Sequence, residues 1–181
     1  MDGRFLDEHG LPDGNLYKIE DHNAQMPPNN KGYTGVTDAS DFNAFRNILY
    51  SAPPESWWRA NVNLESYYGY RCVVEGAHHG DIAYGKNYFF YLNPETNIWT
   101  MYPWDVDLTW ANNMYGNGEE VYKQQGNIFS KTNLKLEFYN RYREFIDLLY
   151  NTDEMYRLLD EMAAIIDDPA GGPSIVDADR A

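Results

Sequence analysis

Three aspartates and one asparagine stand where they could hold a divalent cation. Asp81 follows Gly80 in a turn, and Asn87 comes six residues later. Asp105 and Asp107 lie beyond an aromatic stretch, in Pro103-Trp104-Asp105-Val106-Asp107. Carboxylates brought together repel one another and lose hydration, which is costly unless a cation neutralises them. Hard oxygen donors of this kind select Mg²⁺, Mn²⁺ or Ca²⁺. A single Asp in a turn more commonly caps a backbone N–H. Asp105 and Asp107, at alternate positions of an extended segment, are expected to point the same way, a poor arrangement without a ligand.

The element that positions them is readable. Residues 86–92 and 97–102 alternate and are aromatic, and Asn93-Pro94-Glu95-Thr96 between them has turn composition, so the segment predicts a β-hairpin. Paired strands bring the hairpin's two ends together, so Asp81 and Asn87 can face Asp105 and Asp107. Phosphoryl transfer uses such a set: one Asp and an Asn hold the metal ions that bridge phosphate oxygens, and another Asp orients the attacking hydroxyl. The order Asp, Asn, hairpin, Asp is that of a protein-kinase catalytic loop and its metal-binding Asp.

The rest of the chain reads as scaffold. Residues 1–36 are rich in Gly, Pro, Asn and Asp, with a strand at Asn15-Leu16-Tyr17-Lys18-Ile19-Glu20 and a loop at Pro27-Pro28-Asn29-Asn30-Lys31-Gly32. A helix carrying Phe42, Phe45, Ile48 and Leu49 starts after Thr37 or Ser40, either of which can cap it, and stops at Pro53-Pro54. A second follows Asn63, with Leu64, Tyr67, Tyr68, Arg71, Cys72 and Glu75 marking its turns, and ends at Gly76 or Gly80. Residues 111–132, with Gly116, Gly118 and Gly126, predict an irregular loop. Two amphipathic helices follow, one with a core stripe of Phe138, Tyr142, Phe145, Ile146 and Leu149. The other is capped by Thr152, with a core stripe of Met155, Leu158, Leu159, Met162 and Ile166. Ser174, after Pro173, is expected to cap a further helix.

Composition narrows the function classes. The 181 residues fit one domain, and 43% hydrophobic content with 16% aromatics argues against disorder. Net charge is −14, from 28 acidic against 14 basic residues, so a nucleic-acid partner is not expected. Cys72 is the single cysteine, which excludes an internal disulfide, and its apolar neighbours predict a buried, inert thiol. No apolar run approaches the ~20 residues a membrane span needs. Met1-Asp2-Gly3-Arg4-Phe5 lacks the apolar stretch of a signal peptide. Adjacent His78 and His79 point apart on a helix and make a poor shared metal site, though His79 is placed to donate near the Asp81 turn. Trp57-Trp58 and the tyrosines read as core before they read as a sugar or peptide surface.

Gly85-Lys86-Asn87-Tyr88-Phe89-Phe90-Tyr91-Leu92-Asn93-Pro94-Glu95-Thr96, followed by Trp99-Thr100-Met101-Tyr102-Pro103-Trp104-Asp105-Val106-Asp107-Leu108, resembles the signature of the CotH kinase family, the spore-coat protein H-like proteins. Phe5-Leu6, Gly14-Asn15-Leu16-Tyr17-Lys18, the closing helices and Ile175-Val176-Asp177-Ala178-Asp179-Arg180 extend the resemblance over nearly the whole chain. It implies an α+β, mainly helical fold like the large lobe of an atypical protein kinase, with a β-hairpin at the active site. It also implies a protein serine/threonine kinase of the cell or spore surface or the extracellular space, using ATP and Mg²⁺ or Mn²⁺ on proteins bearing Ser or Thr hydroxyls.

Carried over by motif, Asp81 matches the catalytic-loop Asp, Asn87 the metal-supporting Asn and Asp105 the metal-binding Asp. Asp107 matches the second acid of the family motif and is a further metal candidate. Family members carry an upstream small lobe with a phosphate-contacting Lys and its Glu partner. Lys18 lies downstream of that Lys in the resemblance and reads as a surface lysine. Residues 1–181 are therefore expected to be the C-terminal, catalytic part of such a domain. Two other readings remain: a non-catalytic surface adhesion module on the same scaffold, and a glycoside hydrolase, which needs two carboxyls about 5–10 Å apart.

Overall fold

The computed structural model of the chain describes residues 1–28, 38–77, 79, 85–107, 109 and 128–166. The chain divides into two units, Met1–Tyr142 and Arg143–Ala181. The first holds a four-stranded antiparallel sheet of order β2-β1-β3-β4, built from β1 (Asn15–Glu20), β2 (Asn23–Ala24), β3 (Tyr88–Leu92) and β4 (Trp99–Pro103). The predicted hairpin is β3–β4, in register from Tyr88↔Pro103 to Leu92↔Trp99. It does not stand alone, because β1 pairs along the other edge of β3, from Asn15↔Leu92 to Ile19↔Tyr88.

A central strand is covered on both faces, so β3 is aromatic at successive positions: Tyr88, Phe89, Phe90 and Tyr91 are all buried. Phe89 and Tyr91 join Leu6 and Leu16 in one apolar layer, with Phe5, Leu11 and Tyr102 packed at its edge. Leu6 arrives on a short helix, α1 (Gly3–Glu8), whose cap is the Asp2 carboxylate accepting from the Arg4 N–H at 3.0 Å. No periodic pattern in the sequence predicts α1. A six-residue helix has little stability of its own, and it forms here because Leu6 is buried against the sheet.

On the opposite face Phe90 meets Phe42 and Phe45 of α2 (Ser40–Tyr50), with ring centroids 5.8 and 5.3 Å apart. Phe45 also stacks on Trp99 at 4.6 Å. The expected cap differs: Ser40 is the first helical residue, and its N–H is taken by the Asp38 carboxylate at 3.0 Å. Thr37 lies outside the described residues. Ile48, expected in the core with Phe42, Phe45 and Leu49, is exposed. After Pro53-Pro54 an unforeseen helix, α3 (Glu55–Asn61), buries Trp58 fully and stacks Trp57 on Phe45 at 5.6 Å.

Helix α4 (Leu64–Gly76) begins as predicted, with the Asn63 side chain accepting from the Ser66 N–H at 3.1 Å. It lies along β4, where the Ser66 hydroxyl donates to the Met101 carbonyl at 3.1 Å. Cys72 is buried in this helix, as expected. Helix α5 (Thr132–Leu149) buries Leu134 and Phe138. In the second unit, α6 (Thr152–Ile166) starts one residue earlier than the predicted cap implied, since the Asn151 carboxamide, not Thr152, accepts from the Asp153 N–H at 3.0 Å. Its predicted stripe is only partly covered: Met155 and Leu158 are half-buried, whereas Leu159 and Met162 are exposed. The Ile166 side chain, the glycines of the 111–132 loop and Ser174 lie outside the described residues.

Candidate active site

The open end of the β3–β4 hairpin is closed by one bond past the last strand pair. Beyond Tyr88↔Pro103, the Trp104 N–H donates to the Asn87 carbonyl at 3.1 Å. Asn87 therefore lies opposite Trp104, the residue before Asp105. Asn87 and Asp105 adopt left-handed backbone, with φ of 62° and 54°. Asn and Asp tolerate this region better than other non-glycine residues. Gly85, two residues before Asn87, is also left-handed, at φ 62°.

Burial separates the roles open to these side chains. Asn87 is buried, whereas Asp105 and Asp107 are exposed. Among the described residues, neither carboxylate has a hydrogen-bond or ion-pair partner. Trp104 holds the backbone between them and β4 through an edge-on contact with Phe89, 5.5 Å between centroids. The expectation that Asp105 and Asp107 share one strand face is not met. Strand β4 stops at Pro103, and the left-handed Asp105 breaks the alternation. The next turn is tied by the Thr109 hydroxyl donating to the Val106 carbonyl at 3.1 Å.

Asp81 and His78 lie outside the described residues. His79 is buried just past α4, its N–H bonded to the Val74 carbonyl at 2.9 Å. The helix that leads there carries Arg71, which is fully buried, paired with Glu75, and seated 4.9 Å over the Phe129 ring. The sequence reading gave Arg71 and Glu75 no role beyond marking helical turns. Their i, i+4 spacing was the available signal for the pair. Among the described residues no three His, Cys, Asp or Glu side chains form a metal-binding group. The candidate set instead combines Asn87 and two free carboxylates, all oxygen donors suited to a hard cation. Lys18 is half-buried in β1 opposite Phe89.

Matched against protein families, residues 1–171 fit the family described as CotH kinase protein. The chain belongs to the CotH kinase family. No curated protein matches it. The match spans every described element of the chain. Among the described residues of this CotH chain, no helix is long and apolar enough to cross a membrane.

Proposed function

We propose that this protein transfers the γ-phosphoryl group of ATP to Ser or Thr hydroxyls of protein substrates, at the base of the β3–β4 hairpin. The fold on this reading is kinase-like, and the substrates are proteins of the extracellular space or of the cell or spore surface. The observation that supports the reading is the Trp104 to Asn87 backbone bond, which puts Asn87 opposite the residue before Asp105, in the chain order Asn, hairpin, Asp of a kinase site.

The oxygen donor set suits Mg²⁺ or Mn²⁺, with Asp105 and Asn87 as ligands and Asp107 as a further one. A cation bound there would neutralise charge on the phosphates. By its motif position, Asp81 orients the substrate hydroxyl and takes its proton as the oxygen attacks the γ-phosphorus, the bond to the β–γ bridging oxygen breaks and ADP leaves. Asp105 and Asp107 are exposed and so open to a ligand from solvent, while Asn87 is buried.

The test is radiolabel transfer from γ-labelled ATP to a Ser-containing protein, with Mg²⁺ or Mn²⁺ added. Asp105→Ala should abolish transfer in a protein whose circular dichroism is unchanged. Full activity in folded Asp105→Ala would remove the kinase reading and leave the adhesion module in front.

A further inference from the structure

The turn between β1 and β2 touches the candidate site from an element with no chemistry of its own. Asp21 and His22 form a two-residue turn, both left-handed at φ 48° and 63°, as a tight hairpin of this length requires. Strand β2 is only two residues long and contributes no buried side chain. Two non-glycine residues in this backbone region are unfavourable unless the surroundings hold them.

Three neighbours, Gly85, Arg46 and Tyr50, hold them. The His22 N–H donates to the Gly85 carbonyl at 3.0 Å. Arg46 of α2 donates to the His22 carbonyl at 3.1 Å and to the Asn23 side chain at 2.5 Å. The His22 ring meets Tyr50 edge-on, 6.5 Å between centroids. Gly85 is shaped to this neighbour: a Cβ there would fall inside the His22 imidazole, and φ 62° already disfavours one.

Gly85 stands two residues before Asn87, whose carbonyl carries the bond from Trp104. A continuous relay results: His22 on Gly85, Asn87 to Trp104, then Asp105. We propose that His22 is a positioning residue, whose imidazole and backbone N–H seat Gly85 and thereby fix Asn87 and Asp105 at the hairpin base. That this placement serves cation binding rests on the function proposed above; the placement itself does not. The β1–β2 turn would otherwise be an exposed connection of two left-handed residues with no reason to be anchored by α2.

The experiment compares the wild-type chain, Gly85→Ala, His22→Gly and the double variant. His22→Gly keeps the left-handed turn and the N–H donor but removes the ring, leaving room for the new methyl. Two quantities are read: hydrogen exchange of the Trp104 amide, and the dissociation constant for Mn²⁺ from the resonance of the free ion. Gly85→Ala should speed Trp104 exchange selectively and weaken Mn²⁺ binding about tenfold, the size seen when supporting partners of metal ligands are lost. The same methyl should do less when added to His22→Gly, so the two changes are not additive.

Wild-type exchange at Trp104 and unchanged Mn²⁺ binding in Gly85→Ala would overturn the proposal. So would uniform acceleration across all sheet amides in both single variants, which marks a merely structural contact. If Gly85→Ala does not fold, His22→Gly alone decides, by whether Trp104 exchange rises while amides of α4 stay protected. If the wild-type chain binds no Mn²⁺, the metal reading fails, and Trp104 exchange still judges the relay.

Discussion

Arg59 of α3 reaches Glu137 of α5 with 2.6 Å between nitrogen and oxygen, and the same guanidinium holds Glu55 at 2.8 Å. The Tyr68 hydroxyl of α4 donates to the other Glu137 oxygen at 3.1 Å. One carboxylate thus ties three helices. Its pKa lies below the ordinary carboxylate value, chiefly because Arg59 donates to it and secondly because Tyr68 does.

A depressed carboxylate pKa means that the unfolded state binds the proton more readily. The stabilisation is present above the unfolded value of about 4.5 and is lost as pH falls through the lower folded value. Glu137→Gln should therefore melt lower than the wild type at pH 7, and the gap should close as pH drops below that range. The effect should be small, because the ion pair is open to solvent and screened by salt. A gap that stays constant down to pH 3 would show that Glu137 acts through packing instead.

Beneath the sheet, Asp41 accepts from the Asn15 side chain at 2.8 Å and from the Tyr17 hydroxyl at 2.7 Å. Asn15 and Tyr17 are both buried. Asp41→Ala strands two buried donors, each worth about 1–3 kcal/mol when left unsatisfied. Urea unfolding should show a loss of about 2–6 kcal/mol for the two donors together, and Tyr17→Phe in the Asp41→Ala background should recover part of it. Equal stability of Asp41→Ala and wild type would refute this account.

The aromatic layer supplies a larger number. Phe45 is buried and touches Trp57, Phe90 and Trp99. Phe45→Ala should lose about 3–5 kcal/mol in urea unfolding, the usual range for removing a buried ring. Phe45→Leu should lose less, because more of the volume remains filled.

These residues also mark what local pattern can reveal. The β3–β4 hairpin was legible because a turn at Asn93-Pro94-Glu95-Thr96 separates two aromatic runs, and that pairing puts Asn87 opposite Trp104, next to Asp105 in the chain. Helix α4 was legible because Asn63 is a strong cap. The β1–β3 pairing was not, since a contact between residues some seventy positions apart leaves no local trace. Helices α1 and α3 are too short for a periodic stripe and depend on Leu6 and Trp58 finding the core. The left-handed turn at Asp105 was hidden because alternation, read from sequence, assumes an extended backbone up to Asp107.

Catalysis and binding should separate by residue. Asp81→Ala should lower turnover about 10²–10⁴-fold, the range for a lost general base, while Mn²⁺ and ATP binding persist. Asp105→Ala should lose both transfer and Mn²⁺ binding. Asp107→Ala tests which geometry holds beyond the left-handed turn: a ligand's loss resembles Asp105→Ala, whereas a residue shaping the turn costs activity only modestly. Equal Mn²⁺ affinity in Asp105→Ala and wild type would refute the ligand assignment even if transfer were lost.

His22 gives the turn a pH dependence of known sign. Its pKa is lowered, first by burial of the ring and then by Arg46, with Asp21 opposing. The folded state therefore favours the neutral imidazole, and the unfolded chain binds the extra proton below about 6.5. Stability contributed by this site is intact above that value and declines as pH falls below it, levelling only beneath the folded pKa. Relative to His22→Asn, which keeps a residue tolerant of left-handed backbone, the wild-type melting temperature should fall between pH 7 and 5. The Trp104 amide, two hydrogen bonds away along the backbone, should exchange faster over the same interval in wild type but not in His22→Asn. A wild-type Trp104 exchange rate that follows only the intrinsic chemistry of pH would show that protonating His22 does not reach the hairpin base.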